Sequence, residues 1–277
     1  MKKGLIRVAK WIFKGVPTYN IKASVYTLNP AERLKGKRIV ITGGGRGLGF
    51  YIAKRCKEEG ASVLIVGRDE QILKKASVVL EDCPYIIKDL QDVNNFAEFV
   101  NEAANKLGGG IDCLVNNAGI SLHEQSYFDV TIDTFDRQFN TNLKAPYFLS
   151  QEVIRFAKMN GIEDLNILFI TSERGFYGDS IPYGLTKAAI NSLTRGLARR
   201  FVNEGVRVNA IAPGVTASDM TGFEKDGNLY RETSCGKRVF IPEEIAEAAI
   251  YLLSKESNCV TGEILPCNQG NHLRSDY

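Results

Sequence analysis

The stretch Arg38-Ile39-Val40-Ile41-Thr42-Gly43-Gly44-Gly45-Arg46-Gly47-Leu48-Gly49 constrains the chain more than any other. β-Branched residues lead into a glycine-rich turn, and Phe50 to Cys56 follows with apolar positions three and four apart, as a helix requires. Gly43 can take backbone angles closed to other residues, and Gly47 and Gly49 leave room where a ligand or the strand must approach. The helix that begins here aims unpaired N–H groups and a positive dipole end over the turn, which suits a pyrophosphate. A plain strand–turn–helix accounts for the same residues, so the weight falls on the rest of the chain.

From Lys37 onward, strand and helix patterns alternate. The spacing predicts strands at 38–43, 61–67, 84–88, 111–116, 164–171, 206–212 and 263–267. Helices are predicted roughly at 47–59, 69–80, 92–107, 133–159, 183–203 and 242–254. Continuous apolar runs such as Val63-Leu64-Ile65-Val66 suit strands buried on both faces, and the alternation implies a parallel sheet covered by helices. The stretch 214–240 is long, has no clear periodicity and reads as a lid.

Composition narrows the function. The formal charge of +3 is concentrated in residues 1–31, which hold six bases and no acid, so the remainder carries −3 and offers no basic surface for nucleic acid. The cysteines at 56, 83, 113, 235, 259 and 267 form no Cys-x-x-Cys pair, and the chain has only two histidines. No metal site is expected, and reduced thiols in a cytoplasmic setting are the simplest reading. No apolar run approaches the roughly 20 residues that span a bilayer.

Four further motifs fall where open α/β sheets place ligands, near the carboxyl ends of strands. They are Asn116-Asn117-Ala118-Gly119, Asn142 within the long following helix, Thr171-Ser172 with the later Tyr183-Gly184-Leu185-Thr186-Lys187, and Pro213-Gly214. Residues four apart on a helix share a face, which puts Tyr183 beside Lys187. An ammonium there is expected to lower the phenol's pKa by about 1–3 units, toward the range of efficient general acid–base catalysis.

Together these motifs resemble the short-chain dehydrogenase/reductase family over about residues 36–270. The resemblance implies an α/β fold, a Rossmann-type doubly wound sheet of seven parallel strands in a single domain at 37–270, with a tail at 271–277. It implies hydride exchange between a nicotinamide cofactor and a ketone/secondary alcohol pair, with Tyr183 as general acid/base. Lys187 would also bind the nicotinamide ribose, Ser172 the substrate oxygen, and Asn142 a relay water. The cofactor would lie on Thr42, Gly43, Arg46, Gly47, Leu48 and Gly49, and on Asn116, Ala118 and Gly119. Asp89 and Leu90 would contact adenine, while Pro213, Gly214 and Ser218 would flank the nicotinamide. Asp89 also reads as a helix N-cap. Ser172 precedes Tyr183 by 11 residues, two fewer than the family pattern; a shortened loop at 174–182 accounts for this, with Thr171 as the fallback hydroxyl.

An acid at the end of the second strand would hold the ribose 2′-hydroxyl of NAD. Here Val66 is followed by Gly67 and Arg68, and Arg46 stands in the glycine turn, so NADP(H) is expected. His123, Tyr127 and Phe128 are candidates for a substrate pocket, although His123 reads more simply as a solvated loop residue. Two other functions are weighed: a 3-oxoacyl-[acyl-carrier-protein] reductase and a catalytically silent dinucleotide-binding sensor. Glu163 and Glu204 stand where the family's carrier-protein reductases place arginines, which opposes the first. The intact Asn142, Ser172, Tyr183 and Lys187 oppose the second. A homodimer or homotetramer packed through 133–159 and 183–203 is implied by the resemblance.

Residues 1–36 stand apart as a basic amphipathic helix with a linker. Leu5, Val8, Ala9, Ile12, Phe13 and Val16 fall on one helical face of residues 3–16, opposite Lys3, Arg7, Lys10 and Lys14, with Trp11 at the boundary. Such a stripe costs free energy in water, at about 25 cal/mol per Å². Packing on the chain's own body or on a sister subunit is the first reading. Peripheral contact with an anionic membrane surface is the second, and a cleaved targeting segment the third. Deleting residues 1–16 is therefore expected to change the oligomer size in solution while anionic vesicles are ignored. Salt-sensitive co-sedimentation with vesicles that vanishes on the deletion would favour the membrane instead.

Overall fold

Alternate residues of the strands enter two different cores, and this division sets the architecture. In the computed structural model, which describes residues 20–22 and 32–273, seven strands form one sheet. These are β1 (Arg38–Thr42), β2 (Ser62–Gly67), β3 (Tyr85–Ile87), β4 (Cys113–Asn116), β5 (Leu165–Ile170), β6 (Val206–Pro213) and β7 (Ile264–Cys267). Their order is β3-β2-β1-β4-β5-β6-β7 and every pairing is parallel. Between them run α1 (Gly47–Glu58), α2 (Glu70–Val79), α3 (Phe96–Lys106), α4 (Ile132–Phe139), α5 (Ala145–Met159), α6 (Pro182–Phe201) and α7 (Pro242–Leu253).

Val40, Leu64, Leu114, Ile167, Phe169 and Val208 pack with residues of α3, α5 and α6. Their neighbours Ile39, Ile41, Val63, Ile65, Val115 and Leu168 pack with residues of α1, α2 and α7 on the other side. Each fully buried Leu or Ile contributes about 1.5–3 kcal/mol relative to exposure, so a register slip that exchanged the two sets would cost many such contributions. Helix ends follow local chemistry. Asp69 caps α2 by accepting the Ile72 N–H, and Thr131 with Thr134 forms a capping box on α4. Pro182 and Pro242 open α6 and α7, where a missing N–H costs nothing.

Two expectations are corrected. The long helix predicted at 133–159 is interrupted: a π-turn at Asn140–Lys144 separates α4 from α5. Pro146 cannot donate to the carbonyl four residues earlier, and the Asn142 side chain bonds outside the helix, so α-geometry does not continue through this point. The stretch 214–240 is not without structure. Ala217, Leu229, Val239 and Ile241 form a small core of their own, and isolated bridges join Ser218 to Phe223 and Tyr230 to Arg238. Lys225 donates to Glu243 (2.9 Å) and Arg238 pairs with Glu244, pinning the segment to the first turn of α7. Ile21 joins it through two hydrogen bonds, to the Asn228 side chain (3.2 Å) and from the Leu229 N–H (3.0 Å). The amphipathic stretch at 3–16 lies outside the described residues.

Candidate active site

At the carboxyl end of β1 the glycine turn is shaped by close approach. Gly43 adopts φ +64°, and a Cβ there would press on Ala118 and Asn117. A Cβ at Gly49 would overlap the Gly43 carbonyl and the Asn117 amide. Gly47 has φ +53° and open space where a side chain would stand. Arg46 is the N-cap of α1 and makes no side-chain cap, so the first-turn N–H groups at Gly47, Leu48 and Gly49 have no side-chain acceptor in place. These features fit the pyrophosphate of a dinucleotide.

Several residues expected at the cofactor also bond within the fold. The Thr42 hydroxyl accepts from Asn117 N–H and Ala118 N–H (3.0 Å each) and donates to the Val115 carbonyl (3.2 Å), so it shapes the neighbouring loop. Asn116 donates to Ser150 on α5 (3.0 Å). Asp89 is exposed and accepts the Gln91 N–H (3.0 Å), the cap-like arrangement, while Leu90 turns into the core. The Ser218 hydroxyl lies against Thr216 and Thr221 within the lid. Gly214 follows Pro213 and donates to the Cys267 carbonyl (3.0 Å); a side chain at Gly214 would press on Phe240. Arg68 is exposed, and Arg46 has a long ion pair with Asp219 (3.7 Å), both side chains largely solvated.

The four polar residues expected to carry chemistry converge. Ser172 lies two residues beyond β5; its hydroxyl accepts the Arg174 N–H (3.2 Å) and stands near enough to Tyr183 to favour the ionised phenol. Thr171 turns away and donates to the Ile211 carbonyl (3.2 Å), which leaves Ser172 as the hydroxyl at the site. Lys187 is buried, donates to the Ile170 carbonyl (2.9 Å), and holds its Nζ 5.6 Å from the centre of the Tyr183 ring. Asn142 accepts the Ile120 N–H (2.8 Å) and donates to the Ile120 carbonyl (2.9 Å) and to Thr186 (3.3 Å). Its side chain is thereby occupied, and Pro146 offers no N–H to its backbone carbonyl. Gly119 stands between Asn142 and Lys187, a Cβ at 119 lying 3.3 Å and 3.5 Å from them.

The electrostatics differ from expectation at Tyr183. Burial raises its phenol above the ordinary value, opposed by the Ser172 hydrogen bond and the charge of Arg174, while Glu173 adds to the rise. The shift expected from the Lys187 ammonium is absent because burial affects both groups: it lowers Lys187 to about 8. Sequence reasoning missed Arg174 and Asp179, which form a bidentate pair inside the shortened loop; the Arg-x-x-x-x-Asp spacing was the available signal. His123, Tyr127 and Phe128 are exposed, with Phe128 at 90%, and so stand at the rim instead of lining a pocket. Among the described residues no helix is long and apolar enough to cross a membrane, and no group of three or more His, Cys, Asp or Glu could hold a metal ion.

Comparison with known proteins identifies the family. The family described as enoyl-(acyl carrier protein) reductase matches residues 43–272. A 3α-hydroxysteroid dehydrogenase of Mediterraneibacter gnavus is 33% identical over 243 residues, covering 84% of this chain and 95% of that protein. A 3-oxoacyl-[acyl-carrier-protein] reductase of Chlamydia muridarum is 34% identical over 246 residues, covering 86% and 98%. The crystal structure of a 3-ketoacyl-(acyl-carrier-protein) reductase from Brucella melitensis, complexed with NADH, superposes with a TM-score of 0.79 at 29% identity over 86% of this chain and 99% of that one. The chain belongs to the short-chain dehydrogenase/reductase family, a family of oxidoreductases that bind a nicotinamide dinucleotide.

Lys187 gives a stability prediction with a defined sign. Its amine titrates at about 8 in the fold against 10.5 ordinarily, so between these values the unfolded chain binds more protons and stability rises with pH. Lys187→Met removes that dependence. Relative to the variant, the wild-type chain is expected to gain about 3 kcal/mol between pH 7 and pH 10.5, read by urea denaturation. A difference that stays flat across that range contradicts the buried-amine assignment.

Proposed function

We propose that this chain is an NADP(H)-dependent oxidoreductase interconverting a ketone and a secondary alcohol. The observation that carries the reading is the meeting of Ser172, Tyr183 and Lys187 beside the carboxyl end of β5, next to an uncapped glycine turn. A bound nicotinamide supplies or accepts the hydride. Tyr183 gives its phenolic proton to the substrate oxygen in reduction and takes one from the alcohol in oxidation. Ser172 steadies the oxygen as charge develops on it. Lys187, with one bond to Ile170, retains protons for the ribose hydroxyls and restores the proton of Tyr183. Water on the Asn142 carbonyl connects that proton path with solvent.

Preference for NADP(H) is supported by Gly67-Arg68 at the end of β2, where no acid is present, and by the exposed Arg46. Arginine's fork suits phosphate oxygens, and the solvated Asp219 holds Arg46 only loosely. Purified protein is expected to oxidise NADPH, faster than NADH, with a member of a panel of sugars, steroids, acyl thioesters and small ketones. Arg68→Ala should weaken NADPH while sparing NADH. Tyr183→Phe should leave cofactor affinity nearly intact and remove most turnover. Equal efficiency with both cofactors overturns the NADP(H) assignment, and an active Tyr183→Phe protein overturns the acid/base role. Carrier-protein thioesters should rank low on the panel: Glu163 is exposed, and Lys158 neutralises only Glu204.

A second copy of the chain is the proposed partner. Tyr147, Phe148 and Leu185 are exposed on α5 and α6, around a groove of about 770 Å³ also lined by Phe139, Leu143 and Leu193. This apolar face fits a self-complementary interface. Phe148→Glu is expected to shift the oligomer toward monomer in analytical ultracentrifugation, and an unchanged size excludes this face.

A further inference from the structure

Ten residues separate Ser172 from Tyr183, and one ion pair closes this short loop on itself. Arg174 donates from Nε to Asp179 Oδ2 (2.7 Å) and from Nη2 to Oδ1 (2.8 Å). Asp179 is nearly enclosed, with a side-chain exposure of 9% against 42% for Arg174. Its Oδ1 also accepts the N–H of Ile181, the N-cap residue of α6, two positions before Tyr183. The carboxylate occupies the space that Gly184 leaves, where a Cβ would overlap it. At the other end, the Arg174 N–H donates to the Ser172 hydroxyl, and the guanidinium carbon lies 6.0 Å from the centre of the Tyr183 ring. The same pair therefore touches the backbone beside Ser172, the start of the helix that bears Tyr183, and the face of the Tyr183 ring.

We propose that Arg174 and Asp179 are positioning residues, a bidentate brace that fixes the shortened loop so that the Ser172 and Tyr183 hydroxyls address one substrate oxygen. This rests on the oxidoreductase reading above. A fork-to-carboxylate pair is directional, and enclosure of Asp179 keeps most water from screening that end of it. The charged groups facing Tyr183 are Arg174 and Glu173 from the loop and Lys187 from its own helix, with Ser172 as the neutral partner. Of these, Arg174 favours the phenolate and Glu173 opposes it.

The test compares Arg174→Gln, Arg174→Lys, Asp179→Asn and the Arg174→Gln/Asp179→Asn double variant on the ketone that the wild-type chain reduces. Each single variant is expected to lower kcat by about 10- to 100-fold through misplacement, with the KM for NADPH unchanged. The double variant should lose no more than the worse single one, because the pair acts as a unit. Arg174→Lys keeps the charge without the fork and should recover only part of the loss. A second readout needs no turnover: the ultraviolet titration of the chain minus that of Tyr183→Phe isolates the ionisation of Tyr183. Arg174→Gln should move it to higher pH. Unchanged kcat in folded single variants, additive losses, or a Tyr183 ionisation that does not move overturns the brace. If Tyr183→Phe proves fully active while Arg174→Gln still moves the titration, the brace stands and the acid/base reading falls.

Discussion

The site rests on a knot of hydrogen bonds at the point where the sheet reverses its winding. β1 continues to β2 on one side and β4 to β5 on the other, so the segments that leave β1 and β4 diverge and open a crevice. Thr42 and Asn117 hold the two walls together. The Thr42 hydroxyl takes two N–H groups and gives its proton to Val115, while the Asn117 amide donates to the carbonyls of Thr42 (2.9 Å) and Gly43 (3.2 Å). Each of these groups is satisfied, and networks of this kind in a low-dielectric setting are stronger than separate bonds suggest. The glycine turn, the Asn116–Gly119 segment and the start of α1 take their places from it.

Local chemistry made most of this visible in the sequence. Apolar runs at β2 and β5 announced strands buried on both faces, and the glycines at 43, 47 and 49 announced a turn that side chains would obstruct. The interrupted helix was hidden, because Phe135, Phe139, Leu143 and Tyr147 repeat every four residues straight through the π-turn. Only the conjunction of Asn142 with Pro146 hints at the break. The part Thr42 plays in holding the neighbouring loop was hidden for a related reason: a hydroxyl at a strand end has the same letter whether it faces a ligand or a neighbouring loop. The ordering of 214–240 was illegible since its core joins Ala217 to Val239, a pairing without period.

The buried amine of Lys187 works against folding and is carried by the extensive cores on either side of the sheet. Desolvation alone would make Lys187 a poor cation, yet its single bond to Ile170 at the end of β5 fixes the Nζ beside Tyr183. Position, not pairing with an acid, is what this lysine derives from the fold. An ion pair would hold the ammonium in one state, whereas this setting leaves it free to change protonation near neutral pH.

Parts of the chain that are far apart in sequence meet at one residue. Asn271 donates to Glu173 (2.9 Å), accepts the Cys235 N–H (3.2 Å), and offers its carbonyl to the Tyr177 hydroxyl (2.9 Å). The shortened loop, the lid and the 3₁₀ turn after β7 therefore meet at a single residue. His272 beside it lies 5.2 Å from the Phe176 ring, extending the same contact. The mutual placement of these three segments is encoded by no local pattern, which is why the motifs were legible in the sequence while this junction was not. A change in any of the three segments would therefore reach the other two through the bonds of Asn271.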